Sequence, residues 1–220
     1  MSIVLVGSTS GSVTLQEPAV AGTTTINLPA TSGTAVVGSS AVSATGQIPF
    51  STDGSTYTPT AKIVSGTAVA STSGTSIDFT SIPSWVKRII VMFNGVSTNA
   101  TGTSNIIVQL GVSNTAVTSG YVGSFSLLGT SSLSTGTSNT SGFVMAQMPA
   151  TAATWSGQMV ISNITGNTWV SSSSCARTDN GTMVVQSGVN PLSGTVTNLR
   201  ITTVNGTDTF DAGSINILYE

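Results

Sequence analysis

The sequence contains no histidine and a single cysteine, Cys175. The first absence removes Ser-His-Asp and Cys-His catalysis and the imidazole ligands of most zinc sites. The second removes any intramolecular disulfide, and Cys175 reads as a small buried apolar residue. Charge is equally scarce. Charged residues make up 5% of the 220, against about 25% in an average domain. Five Lys and Arg face seven Asp and Glu, for a net charge of -2. A stripe of phosphate-binding cations is therefore excluded, and nucleic acid with it. No apolar run reaches the ~18 residues of a membrane-spanning helix. The opening "MSIVLVGSTSG" lacks the basic start and long apolar stretch of a secretory signal.

What is present is Ser and Thr, together about a third of the chain, with 24 Gly and a mean hydropathy of +0.33. That hydropathy is too high for a disordered polyelectrolyte. β-branched residues are abundant while Leu, Lys and Glu are scarce, so strands separated by turns are expected and helices are not. The stretch Ser81–Val96, "SIPSWVKRIIVMFNGV", reads as a strand after Pro83, ended by Asn94-Gly95. Asp53-Gly54, Asn180-Gly181 and Asn205-Gly206 are further turn signals, because Gly takes the positive φ that tight hairpins require.

The chain divides near residue 61. Residues 1–61 carry short uncharged strands such as "SVTL" and "TTINL", with two aromatics, too little for a core of their own. Residues 62–220 alternate clearly. Ile77 and Phe79 share a face, as do Ile89, Val91 and Phe93; Ile106, Val108 and Leu110; Phe143 and Met145; Met159 and Ile161; Met183 and Val185; and Ile215, Ile217 and Tyr219. Eight to ten strands in this length without an internal repeat predict a jelly-roll-like β-sandwich. Ile90, Met92, Val144, Val160, Val184 and Leu218 supply a second apolar face. A two-layer sandwich buries one face per sheet, so a neighbouring subunit is expected to cover the other.

Four segments carry a resemblance. "GSTSGSVTLQEPAVAGTTTINLPATSGT", Gly7–Thr34, resembles the N-terminal segment of tailed-bacteriophage fibre proteins. "GQIPFSTDGSTYTP", Gly46–Pro59, is similar to short fibre units. "TSIDFTSIPSWVKRIIVMFNGVS", Thr75–Ser97, and "FDAGSINILYE", Phe210–Glu220, resemble strands of a distal fibre domain. The resemblance implies an all-β homotrimer in the virion, made in the host cytoplasm. Residues 1–61 would be an anchor and shaft bound to tail or baseplate proteins. Residues 62–220 would meet a host-surface glycan or protein. The alternatives are a head or neck fibre, a capsid decoration protein, or a lectin-like adhesin module.

The remaining chemistry is sparse, and no cofactor, metal or enzymatic activity is expected. Paired carboxylates could hydrolyse glycosides, but the candidates Asp53, Asp78, Asp179, Asp208 and Asp211 mostly sit at turn signals. For a glycan, Tyr121, Trp155 and Trp169 are the candidate contacts, since aromatic rings stack on sugars and these lie in Ser/Thr/Gly-rich settings. Lys87, Arg88, Arg177 and Arg200 read as solvated or paired surface cations.

Overall fold

The computed structural model describes residues 3–6, 9–10, 12–15, 47–50, 58–61, 63–100, 104–129, 133–135, 138–148 and 153–220. The "TTINL" strand and the Asp53-Gly54 turn lie outside these residues. The chain forms two compact units, Met1–Val37 and Gly38–Glu220. In the first, β1 (Ile3–Val6) and β2 (Ser12–Leu15) pair antiparallel.

The second unit begins with a separate hairpin of β3 (Gln47–Phe50) and β4 (Thr58–Ala61). Its body follows with β5 (Val64–Ser65), β6 (Val69–Ala70), β7 (Ser76–Phe79), β8 (Arg88–Thr98), β9 (Ser104–Val112) and β10 (Thr115–Ala116). Then come β11 (Val122–Leu128), β12 (Leu133–Thr135), β13 (Phe143–Met148), β14 (Trp155–Thr165) and β15 (Thr168–Arg177). The last three are β16 (Met183–Pro191), β17 (Val196–Thr203) and β18 (Phe210–Tyr219). No helix occurs among the described residues, as the scarcity of helix formers predicts.

Two antiparallel sheets make the body. The large one runs β12-β11-β16-β15-β14-β8-β18-β5, with β6 also on β18. The small one runs β10-β9-β17-β7, with β13 also on β9. Both contribute to one hydrophobic cluster, which is consistent with a β-sandwich. Ile89, Val91, Met159, Ile161 and Ile215 come from the large sheet, and Ile77, Ile106, Val108, Leu110 and Ile201 from the small one. Period-two alternation drives this arrangement, because each strand has its apolar set on one face and burying that face removes it from water. The alternation expected for β7, β8, β14 and β18 is the alternation found, whereas β9 is buried on both faces.

Three expectations are corrected. Val184 is fully buried in the core, while Met183 and Val185 face outward. The register explains it: Val184 stands opposite Leu127 and Cys175, on the core side of the sheet. Val144 is buried too, on a strand whose register slips between Val144 and Ala146. Finally, Asn94-Gly95 does not end β8. Gly95 adopts φ 62° within the strand, where the pairing with β14 shifts between Trp155 and Gly157. An extra residue is absorbed there as a bulge, and positive φ is what glycine allows. The other two glycine turns form as read, with Gly181 at φ 70° and Gly206 at φ 68°.

Candidate functional site

The structure places all three candidate sugar-stacking aromatics inside the core. Tyr121 is 1% exposed, Trp155 0% and Trp169 4%. Tyr121 accepts a hydrogen bond from the Leu110 amide at 2.7 Å and meets Phe143 edge-on, with centroids 4.9 Å apart. Burial holds its phenol well above the usual range, against the smaller opposing effect of that hydrogen bond. Trp155 begins β14, and its buried indole N–H has no hydrogen-bond partner. None of the three offers a ring face to a sugar. The physical reason is their size: an aromatic ring is the largest apolar surface available to a chain with so few of them, and it goes to the core. Cys175 is likewise buried, and desolvation pushes its thiol up to about 12. It is a packing residue.

The charged side chains mostly neutralise one another. Arg200 makes a two-pronged pair with Asp78, at 2.7 and 3.0 Å. Arg177 pairs with Asp179 in the β15–β16 turn, and Arg88 with Glu220. The hydrogen bond from Arg177 holds the Asp179 carboxyl below its usual range. Asp78, Asp179 and Glu220 are thus each held by a different arginine. Asp208 keeps one buried oxygen without a partner, and Asp211 is exposed. Among the described residues, no three His, Cys, Asp or Glu side chains form a metal-binding group.

Two surface features remain. The first is the outer face of the large sheet. Its register aligns Leu218, Ile90, Val160, Ser172, Ser187 and Ser124 in one row across six strands. The next row is Asn216, Met92, Gln158, Ser174, Val185 and Ser126. Neither row holds a charge. Ile90, Met92, Val160 and Leu218 are half-buried, and Met183, Val185 and Leu128 are exposed. This is the second apolar face expected from the sequence, with Met183 and Val185 replacing Val144 and Val184.

The second feature is a cleft of about 60 Å³ at one end of the body. Three connections converge on it. The β7–β8 segment brings Pro83, Ser84 and Lys87; the β14–β15 turn brings Asn167; and the β16–β17 loop brings Thr195. Trp169 is also part of its lining. Backbone hydrogen bonds fix all three connections: Asn163 N to Lys87 O at 2.8 Å, Leu192 N to Asn167 O at 3.0 Å, and Ile82 N to Thr197 O at 2.9 Å. Sequence reasoning flagged Lys87 and Trp169 separately but missed Ser84, Asn167 and Thr195. Nothing in their local sequence separates them from dozens of other Ser, Thr and Asn residues; only the strand order brings them together.

No family model, curated protein or solved structure matches the chain.

Proposed function

We propose that this chain is a fibre protein of a tailed bacteriophage that assembles as a homotrimer and attaches the particle to its host. Residues 1–61 are the anchor, bound to tail or baseplate proteins. Residues 62–220 form the distal body that meets a cell-surface glycan or protein.

The observation that carries this reading is a pair of uncharged rows across the outer face of the large sheet, with the Arg88–Glu220 pair one row further along. A solvated β-sheet face ordinarily carries charged side chains, which keep it monomeric. Here two full rows across six strands have none, and their apolar residues gather on β18, β8 and β14. Short serine side chains let a second backbone come close, and each hydroxyl that bonds across an interface contributes about 0.5–1.5 kcal/mol. Further copies of the same chain are the partners that such a face fits, since identical subunits meet at a matching surface.

The jelly-roll-like reading of the body is supported by its strand order. With the β15–β16 hairpin set aside, β14 lies between β8 and β11, and β17 lies between β7 and β9. Successive strands β7, β8, β9 and β11 alternate between the sheets. That nesting of late strands between early ones is how two Greek keys interleave.

Sedimentation of the full chain tests the assembly. A trimer is expected, with slow and hysteretic heat unfolding because interlocked subunits make stability kinetic. A stable folded monomer overturns the reading. Removing residues 1–61 tests the anchor: the body is expected to fold and to be absent from particles. Incorporation of the shortened chain into particles would overturn that assignment.

A further inference from the structure

The cleft between Pro83, Lys87, Asn167 and Thr195 sets a cation beside uncharged hydrogen-bonding side chains. The geometry points to a binding site for a compact anionic group carried on a sugar, such as the carboxylate of an acidic monosaccharide. This rests on the host-attachment reading and names the ligand class it would use.

Lys87 carries the first part of the argument. Arg88, Arg177 and Arg200 each hold a carboxylate. Among the described residues, Lys87 is the one cation without an ion pair, and it is exposed beside the cleft. In a chain so poor in charge, an unneutralised ammonium next to a concavity is the local source of positive potential. The side chains of Ser84, Asn167 and Thr195 carry the second part. They line the same cleft, and none makes a hydrogen bond among the described residues. Two hydroxyls and an amide thus keep donors and acceptors free for a ligand.

The third part is order. The backbone of each contributing connection is tied to a neighbouring strand or loop, so the polar groups are held before a ligand arrives. That lowers the entropic cost of binding. Size then limits the ligand. A cavity of about 60 Å³ is under half of the ~150 Å³ that admits a benzene ring. A whole sugar ring does not enter, whereas a carboxylate or phosphate substituent does. The ring would rest across the mouth, its hydroxyls within reach of the Ser84, Asn167 and Thr195 side chains. Buried Trp169 belongs to the same lining and supplies apolar surface beside the anion, which strengthens the attraction to Lys87.

The test is titration of the full chain with glucuronate, glucose and inorganic phosphate, followed by amide chemical shifts. Saturable shifts centred on Lys87 and Asn167 are expected with glucuronate, with glucose at least about fivefold weaker. Lys87→Gln, on an exposed side chain, should weaken glucuronate by about fivefold or more, the size of one partly screened charge interaction. It should also abolish the salt dependence. Thr195→Val should weaken both sugars and leave phosphate unchanged. Absence of saturable glucuronate binding, or equal binding by Lys87→Gln, overturns the proposal. Phosphate binding as tightly as glucuronate, with Thr195→Val silent, overturns the sugar part of it. None of these outcomes bears on sedimentation or particle incorporation, so the fibre reading stands or falls separately.

Discussion

The two sheets of the body treat their outer faces differently. The small sheet's outer face is finished by its own chain. Ile107, on that face of β9, is 1% exposed. Segment 139–142 lies against it: Gln109 Nε2 donates to Ser141 O at 2.8 Å, and a Cβ added to Gly142 would come within 2.9 Å of the Ile107 side chain. Alongside lie the Arg200–Asp78 pair and the Thr202 hydroxyl, which donates to Thr75 O. Among the described residues, Val160 and Ile90 on the large sheet's outer face are left partly exposed, and its two central rows hold no charged residue. A face completed within the chain is closed to partners, whereas one whose central rows are uncharged and half-apolar is left available for them.

The largest expected effect comes from charging the closed face. Ile107→Asp places a carboxylate where no cation stands opposite, and an uncompensated buried charge costs about 3–5 kcal/mol. The variant should lose its cooperative melting transition by circular dichroism. A wild-type melting curve would mean that the face is more open than described. Gly142→Ala is the gentler version. The new methyl must displace the Ile107 side chain, at about 1–3 kcal/mol for overpacking, read as a fall of several degrees in Tm.

Val160→Asp makes the opposite point on the open face. Its expected effect on subunit stability is roughly 1 kcal/mol or less, with near-ultraviolet circular dichroism unchanged. Its effect on the proposed assembly should be complete, leaving a folded monomer instead of the expected trimer in sedimentation. Unfolding instead of dissociation would erase the distinction between the two faces.

The smallest effect is electrostatic. Asp179 is held below its ordinary value by Arg177, so it binds its proton less readily folded than unfolded. Its contribution is therefore fully present above the ordinary carboxylate range, near pH 4, and is lost as pH falls through the lower folded value. The pair is solvent-screened, so Asp179→Asn should change stability at neutral pH by under about 1 kcal/mol. Acid titrations of the two proteins followed by Tm would then converge below that range. Divergence there would assign the acid response to another carboxylate.

Much of the fold could be read from alternation. β8 carries Ile89, Val91 and Phe93 inward because side chains on a strand alternate strictly, and no tertiary information is needed for that. β16 was misassigned because Met183, Val184 and Val185 are all apolar, so parity gives two equal answers and the neighbouring strand decides. The aromatics misled for a related reason. A tryptophan in a serine-rich stretch suggests a surface loop, but Trp155 and Trp169 lie on strands whose alternate side chains, Ser156 and Val170, are only half-buried.

By itself, the sequence determined the class of structure. β-branched strands, glycine turns and the absence of helix formers leave an antiparallel all-β body, because local backbone preference and period-two burial both act within a few residues. It also determined that one sheet would keep apolar residues on its second face. Tertiary structure alone decided which face that is and where a cleft forms. Ser84, Asn167 and Thr195 are separated by long stretches of chain, and they meet because β8, β15 and β17 bring their ends to the same edge of the body. Contacts of that kind depend on strand order and register, which arise from the packing of the whole core and leave no mark on any one segment.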